Sequence, residues 1–207
     1  VGSKDGTIYA FDLDTGCVRW TYKARAEVRT GIVVEPTGTA PKLYFGDVMA
    51  RAYALDAQTG KELWVTKVDD HSSATITGTP ALFNDRLYVP VSSLEVTAAA
   101  DPSYACCTFR GAVAALDTGS GAPVWKSHTI PDEPTQKGTT SAGTPILAAS
   151  GAPVWNSPAV DAARGVLKER MASPRTGQMS RRYASGLTRD RLGPHRQRHV
   201  QLPVARR

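Results

Sequence analysis

Ala54-Leu55-Asp56-Ala57-Gln58-Thr59-Gly60-Lys61-Glu62-Leu63-Trp64 is the stretch that decides the fold. The same pattern, Ala-apolar-Asp-x-x-Thr/Ser-Gly-x-x-x-Trp, stands earlier as Ala10-Phe11-Asp12 with Thr15-Gly16 and Trp20. It returns as Ala115-Leu116-Asp117 with Ser120-Gly121 and Trp125. Each copy reads as a β-hairpin. Ile8 and Ala10, Ala52 and Ala54, and Val113 and Ala115 alternate with their neighbours at the period of a half-buried strand. An Asp side chain can bond backbone N–H groups two residues on and start a turn. The glycine supplies the positive φ of a tight reversal. The Trp that ends the second strand offers a large apolar face and one N–H donor.

Asp12 and Asp56 are 44 positions apart, the length of one four-stranded propeller blade. Two further strands are expected before the second hairpin, at 31–35 and 43–46. Two more are expected before the third, at 78–83 and 86–91, joined by an Asn84-Asp85 turn. Asp56 and Asp117 are 61 positions apart, so the third unit carries about 17 additional residues. They fall in 92–109, between its second and third strands, where an inserted loop on a rigid repeat commonly carries function. The expected fold is therefore all-β: a partial β-propeller of about three four-stranded blades. A fourth blade is expected to start at 154–161, turn at 162–165 and restart at Val166-Leu167.

Charge divides the chain at the same place. Through Leu167 there are 14 Lys and Arg against 17 Asp and Glu, whereas 168–207 holds 11 against 2. The net +6 thus comes from 168–207. The expected division is a propeller portion at 1–167 and a basic tail at 168–207, disordered or translated out of frame. The rival reading of the tail is a basic arm that binds nucleic acid or a membrane surface. The chain opens on Val1-Gly2-Ser3 rather than Met, and we expect it to be a piece of a larger propeller, since closure takes about 4–8 blades. No apolar run approaches the ~20 residues of a transmembrane helix.

The cysteines are Cys17, Cys106 and Cys107. Their spacing gives no zinc ribbon, thioredoxin motif or covalent haem site. No phosphate-cradling glycine loop is present. His195 and His199 have metal-ligand spacing, read as chance. His71 and His128 are read as solvated loop histidines. Cys106-Cys107 stands out. Neighbouring Cα atoms lie about 3.8 Å apart across a trans peptide, less than the ~4.4–6.8 Å of ordinary disulfides. A bridge between them is one reading; two thiols, or other partners, are the alternatives.

The Asp-x-x-Thr-Gly-x-x-x-Trp repeat resembles the tryptophan-docking repeat of quinoprotein alcohol dehydrogenases. Cys106-Cys107-Thr108-Phe109-Arg110-Gly111 and Ser150-Gly151-Ala152-Pro153-Val154-Trp155 resemble the polyvinyl-alcohol dehydrogenase branch, over residues 1–167. The resemblance implies an eight-bladed propeller holding pyrroloquinoline quinone (PQQ) and Ca²⁺. It implies a periplasmic enzyme that oxidises alcohols and passes electrons to a cytochrome c. Thr77, in Thr77-Gly78-Thr79-Pro80, and Ser92 take the places of cofactor-binding residues, and Glu95 that of the metal ligand, with a solvated loop residue as the alternative. Trp155 takes the place of a tryptophan on one face of PQQ, with blade packing as the alternative. Cys106 and Cys107 would form a vicinal disulfide on the other face, and Arg110 would bond the polar edge of the quinone.

Two departures are visible. In methanol-type relatives the Cys-Cys pair precedes the Thr/Ser/Glu blade, whereas here it follows Glu95. A further Ca²⁺-binding Asn is expected at 173, where Ser173 stands. The catalytic base is expected beyond the legible chain, so this portion alone is expected to be inactive. The other functional class is a non-enzymatic propeller scaffold that binds partner proteins, as in outer-membrane protein assembly, which shares the repeat.

Overall fold

The computed structural model describes residues 1–35, 40–172, 179–184 and 200–201, with side chains through Lys168. The first sheet pairs β1 (Thr7–Phe11) with β2 (Val18–Lys23), and Gly2 bridges to Ile8. The second sheet runs in the order β3 (Val33–Val34), β4 (Lys42–Gly46), β5 (Arg51–Asp56), β6 (Glu62–Lys67), all antiparallel. It is the four-stranded blade that the spacing predicts.

In the third blade β7 (Ala74–Thr75) and β8 (Ala81–Phe83) both pair with β9 (Arg86–Ser93). The expected single strand at 78–83 is thus replaced by two short ones. Gly78 lies against the Asn156 carbonyl, where a β-carbon would come within 2.6 Å of oxygen, and Pro80 has no N–H for a ladder. Asn84 and Asp85, both at positive φ, make the expected turn. After β9 come a single helical turn, α1 (Glu95–Ala98), then β10 (Ala112–Asp117) and β11 (Pro123–His128), which complete the sheet.

A hairpin of β12 (Thr135–Thr139) and β13 (Pro145–Ala148) follows, which the sequence reading did not anticipate. The last sheet pairs β14 (Ala159–Asp161) with β15 (Val166–Ala172), and β15 with β16 (Met179–Ala184) and β17 (Val200–Gln201). β15 carries the pairing past the expected limit at Leu167. Residues 173–178, 185–199 and 202–207, where most of the expected disordered or out-of-frame tail falls, lie outside the described residues, and Ser173, His195 and His199 lie there with them.

The repeat acts between blades. Within each turn the Asp carboxylate gathers donors: Asp56 Oδ1 accepts from Gln58 N at 2.9 Å, Thr59 N at 2.8 Å and Thr59 Oγ1 at 2.9 Å. Asp12 and Asp117 do the same with Thr15 and Ser120. The Trp then crosses to the next turn. Trp20 Nε1 donates to the Ala57 carbonyl at 3.2 Å, and Trp64 Nε1 to the Thr118 carbonyl at 3.1 Å. The ring lies flat on the glycine of that turn. A β-carbon at Gly60 would sit 2.5 Å from Trp20, and one at Gly121 2.5 Å from Trp64. Tyr44, Leu87, Val89, Ala114 and Leu116 fill the space between the second and third blades. Phe45, Tyr53 and Leu55 fill that between the first and second.

Candidate functional site

β9 ends where the long insertion begins, and the chain converges there. Thr75 on β7 pairs with Ser92 on β9. Thr77 continues the same segment two residues on. The hydroxyl oxygens of Thr75, Thr77 and Ser92 are buried and have no hydrogen-bond partner. Buried hydroxyls without partners are rare and costly. Two of them lie on residues 75–77 and the third on the strand that pairs with β7. Thr77 and Ser92 are two of the residues to which the resemblance gives a cofactor contact. Thr75 is not, because nothing in the sequence distinguishes it from any threonine of a buried strand.

Glu95 opens α1 and is 3% exposed. Oε1 accepts from Thr108 N at 2.8 Å and Tyr104 OH at 3.1 Å, and Oε2 from Phe109 N at 3.1 Å. The Thr108 hydroxyl lies at 3.4 Å and His71 Nε2 at 3.6 Å from Oε1. His71 Nδ1 accepts from Ser73 N at 3.1 Å, which leaves Nε2 as the proton-bearing nitrogen, 2.9 Å from Thr108 Oγ1. Burial, and then the hydrogen bond to Glu95, push the Tyr104 phenol above its ordinary value. His71 is therefore a bonded member of this network rather than a solvated loop residue. His128 is also partly buried, and its Nδ1 lacks a partner. Burial, then the charges of Arg110 and Lys126, hold it below the usual histidine value.

Cys106 and Cys107 are joined as a vicinal disulfide, directly before the two amides that Glu95 receives. The other side of this segment pairs with β13. Leu147 N donates to the Cys106 carbonyl at 2.6 Å, and Cys107 N to the Leu147 carbonyl at 3.4 Å. Residues 150–157 then run beside the third blade. Val154 N donates to the Val91 carbonyl at 3.2 Å, and Thr79 N to Ser157 Oγ at 3.1 Å. Trp155, partly exposed, is thus bracketed by contacts to Val91 and Gly78, the chain neighbours of Ser92 and Thr77. Gly111 permits this approach, since a β-carbon there would come within 1.9 Å of the Ala152 carbonyl oxygen.

Arg110 goes elsewhere. Its guanidinium donates to the Pro131 carbonyl at 2.9 Å and is paired with Glu133. It braces the segment before β12.

The groups implied by the resemblance can be set against these residues. A quinone carrying carboxylates and carbonyls is rich in acceptors, and three unpartnered hydroxyl donors fit it. A hard cation takes six to eight oxygen ligands. Glu95 fits that role poorly, because three of its about four acceptor positions, on both oxygens, are already taken by Thr108 N, Tyr104 OH and Phe109 N. Among the described residues no three His, Cys, Asp or Glu side chains converge as a metal site.

The architecture is that of a portion of a quinoprotein-type propeller. The fold matches the quinohemoprotein alcohol dehydrogenase of Comamonas testosteroni with a TM-score of 0.60 at 22% identity, over 83% of this chain and 27% of that one. In sequence the chain is a homologue of polyvinylalcohol dehydrogenases. It is 39% identical to that of a Pseudomonas species over 81% of this chain and 27% of the relative. It is 40% identical to that of Sphingopyxis sp. strain 113P3, over 80% and 26%. The chain therefore spans about a quarter of the length of these relatives. Residues 1–103 also match the family described as outer membrane protein assembly factor BamB. That match ends before Cys106.

Proposed function

We propose that this chain is the cofactor-binding portion of a PQQ-dependent alcohol dehydrogenase that oxidises polyvinyl-alcohol-like or other alcohols. The observation that carries the reading is the trio of unpartnered buried hydroxyls, Thr75, Thr77 and Ser92, at the same strand end as the Cys106–Cys107 disulfide. The similarity to polyvinylalcohol dehydrogenases supports it, because it extends over four fifths of the chain.

In this reading the three hydroxyls donate to acceptor oxygens of the cofactor and fix its orientation. The disulfide and the Trp155 ring supply polarizable, apolar faces that exclude water. The docked blades hold both in place, so that little reorganisation accompanies binding. When bound, PQQ supplies the two-electron oxidation of the alcohol carbon, and the protein supplies position and electrostatics. Electrons pass to a cytochrome c, and the enzyme works in the periplasm. Calcium belongs to the reading for the full-length enzyme, with ligands other than Glu95. Arg110 acts as a brace for 130–133.

A scaffold propeller that binds partner proteins is the second reading, favoured by the family match at 1–103. Such a scaffold has no use for three buried hydroxyls that lack partners. Titration of PQQ into the chain, followed by quenching of tryptophan fluorescence, separates the two. Saturable quenching that is lost in a Thr77→Val, Ser92→Ala chain supports the dehydrogenase. No binding by the chain or by the full-length protein overturns it.

A further inference from the structure

A buried carboxylate must be solvated by donors or neutralised. Among the described residues no lysine or arginine pairs with Glu95; its ion-pair neighbour within 4 Å is His71, at 3.6 Å. What surrounds it instead is one short piece of chain. Thr108 N, Phe109 N and Tyr104 OH all donate to it, and the first two belong to the residues that follow Cys107 directly.

We infer that Glu95 is the positioning residue of the disulfide loop and does not ligate a cation in this chain. An ionised carboxylate offers about four acceptor positions. Oε1 is filled by Thr108 N and Tyr104 OH, with the Thr108 hydroxyl and His71 Nε2 close behind. Oε2 is held by Phe109 N. Hydroxyls can rotate away from an arriving cation, but the two amides cannot without moving the chain that carries the disulfide. Their hydrogens would face the ion.

The same device appears elsewhere in the molecule. Buried Asp47, though also paired with Arg51 Nε at 2.7 Å, accepts from Met49 N at 2.8 Å and Arg51 N at 3.1 Å, and it orders the turn between β4 and β5. Glu95 does over a longer loop what Asp47 does over a tight one. Because Glu95 N is itself tied to Ser93 Oγ at 2.8 Å, the loop is fixed to the end of β9. The disulfide is thereby registered against Ser92. The consequence for the quinone rests on the proposed function; the anchoring does not.

The amides of Thr108 and Phe109, followed by hydrogen exchange in the 207-residue chain, test it. In the unaltered chain both are protected without any divalent cation, and adding Ca²⁺ or Tb³⁺ leaves that protection unchanged. In Glu95→Gln their exchange quickens by about ten-fold, the scale of a lost hydrogen bond to a charged group, while Tyr53 and Leu116 keep theirs. Tb³⁺ luminescence gives the same affinity for both chains. In the PQQ-loaded full-length enzyme the quinone absorption band shifts in Glu95→Ala and is partly restored in Glu95→Gln, which keeps one acceptor oxygen. Three results each overturn the inference: protection that changes with cation in the unaltered chain, a ten-fold loss of Tb³⁺ affinity in Glu95→Gln, or unchanged exchange in that variant. The cation titration of the unaltered chain decides the matter even where Glu95→Gln does not fold. Failure of PQQ to bind at all overturns the proposed function and leaves the anchor standing.

Discussion

Trp64 rests on Gly121: its indole N–H reaches the Thr118 carbonyl at 3.1 Å, and a β-carbon on Gly121 would lie 2.5 Å from Cδ2 of the ring. Gly121 also has φ +72°. Gly121→Ala therefore meets two penalties, about 1–2 kcal/mol for the left-handed backbone and about 1–3 kcal/mol for overpacking the ring. Gly16 has φ +71° but nothing within 4 Å of its β-carbon position, so Gly16→Ala meets the first penalty alone. Urea unfolding should rank Gly121→Ala well below Gly16→Ala in stability. Equal losses would mean that the Trp does not depend on the bare glycine.

The buried unpartnered hydroxyls should show opposite effects on stability and on binding. Thr75→Val and Thr77→Val keep shape but remove a buried donor that has no partner. Each should leave the unliganded chain as stable as before, or more stable by about 1 kcal/mol. Each should also weaken PQQ binding, by about ten-fold for one lost hydrogen bond. Thermal unfolding and PQQ titration on the same samples check both halves. Lower stability with unchanged affinity would return these residues to ordinary packing.

Cys106 and Cys107 lie outside the three buried apolar clusters that join the blades. The Cys106→Ala, Cys107→Ala chain should keep its far-ultraviolet dichroism and unfold within about 1 kcal/mol of the parent, as substitutions away from a core do. PQQ affinity should fall. In the full-length enzyme, dye-linked alcohol oxidation should fall with it. Unchanged affinity would remove the disulfide from the pocket.

The turn carboxylates make the propeller acid-sensitive within a defined window. Asp12 is held down to about 2 by the Thr15 N–H, then by the Arg19 guanidinium and the Thr15 hydroxyl. Asp56 is lowered by the Thr59 hydroxyl and N–H, and Asp117 by the Ser120 N–H and hydroxyl. A carboxyl depressed in the folded state contributes stability above its unfolded value, and loses it as pH falls through the folded one. Stability should thus be flat above about pH 5 and decline from about pH 4 towards 2. Asp56→Asn should flatten part of that decline, read as unfolding midpoint against pH. A slope centred near pH 6 would point to histidines instead.

The sequence alone determined the blade. Asp, Thr or Ser, Gly and Trp act over nine adjacent positions, and a turn built from such short-range bonds can be read from spacing. Cys106-Cys107 stood out as a dipeptide, and the family resemblance of the surrounding strings singled out Thr77, Ser92, Glu95 and Trp155. What surrounds each side chain was decided only when distant segments met. Thr75 gained meaning because β7 pairs with β9 and leaves its hydroxyl without a partner. Arg110 turned to Glu133, 23 residues on, because a local carboxylate and two carbonyls satisfied it first. Glu95 reads as a cation ligand by position, yet the fold brings it the amides of Thr108 and Phe109. A buried carboxylate takes whatever donors tertiary packing delivers, and no spacing along the chain encodes which those will be.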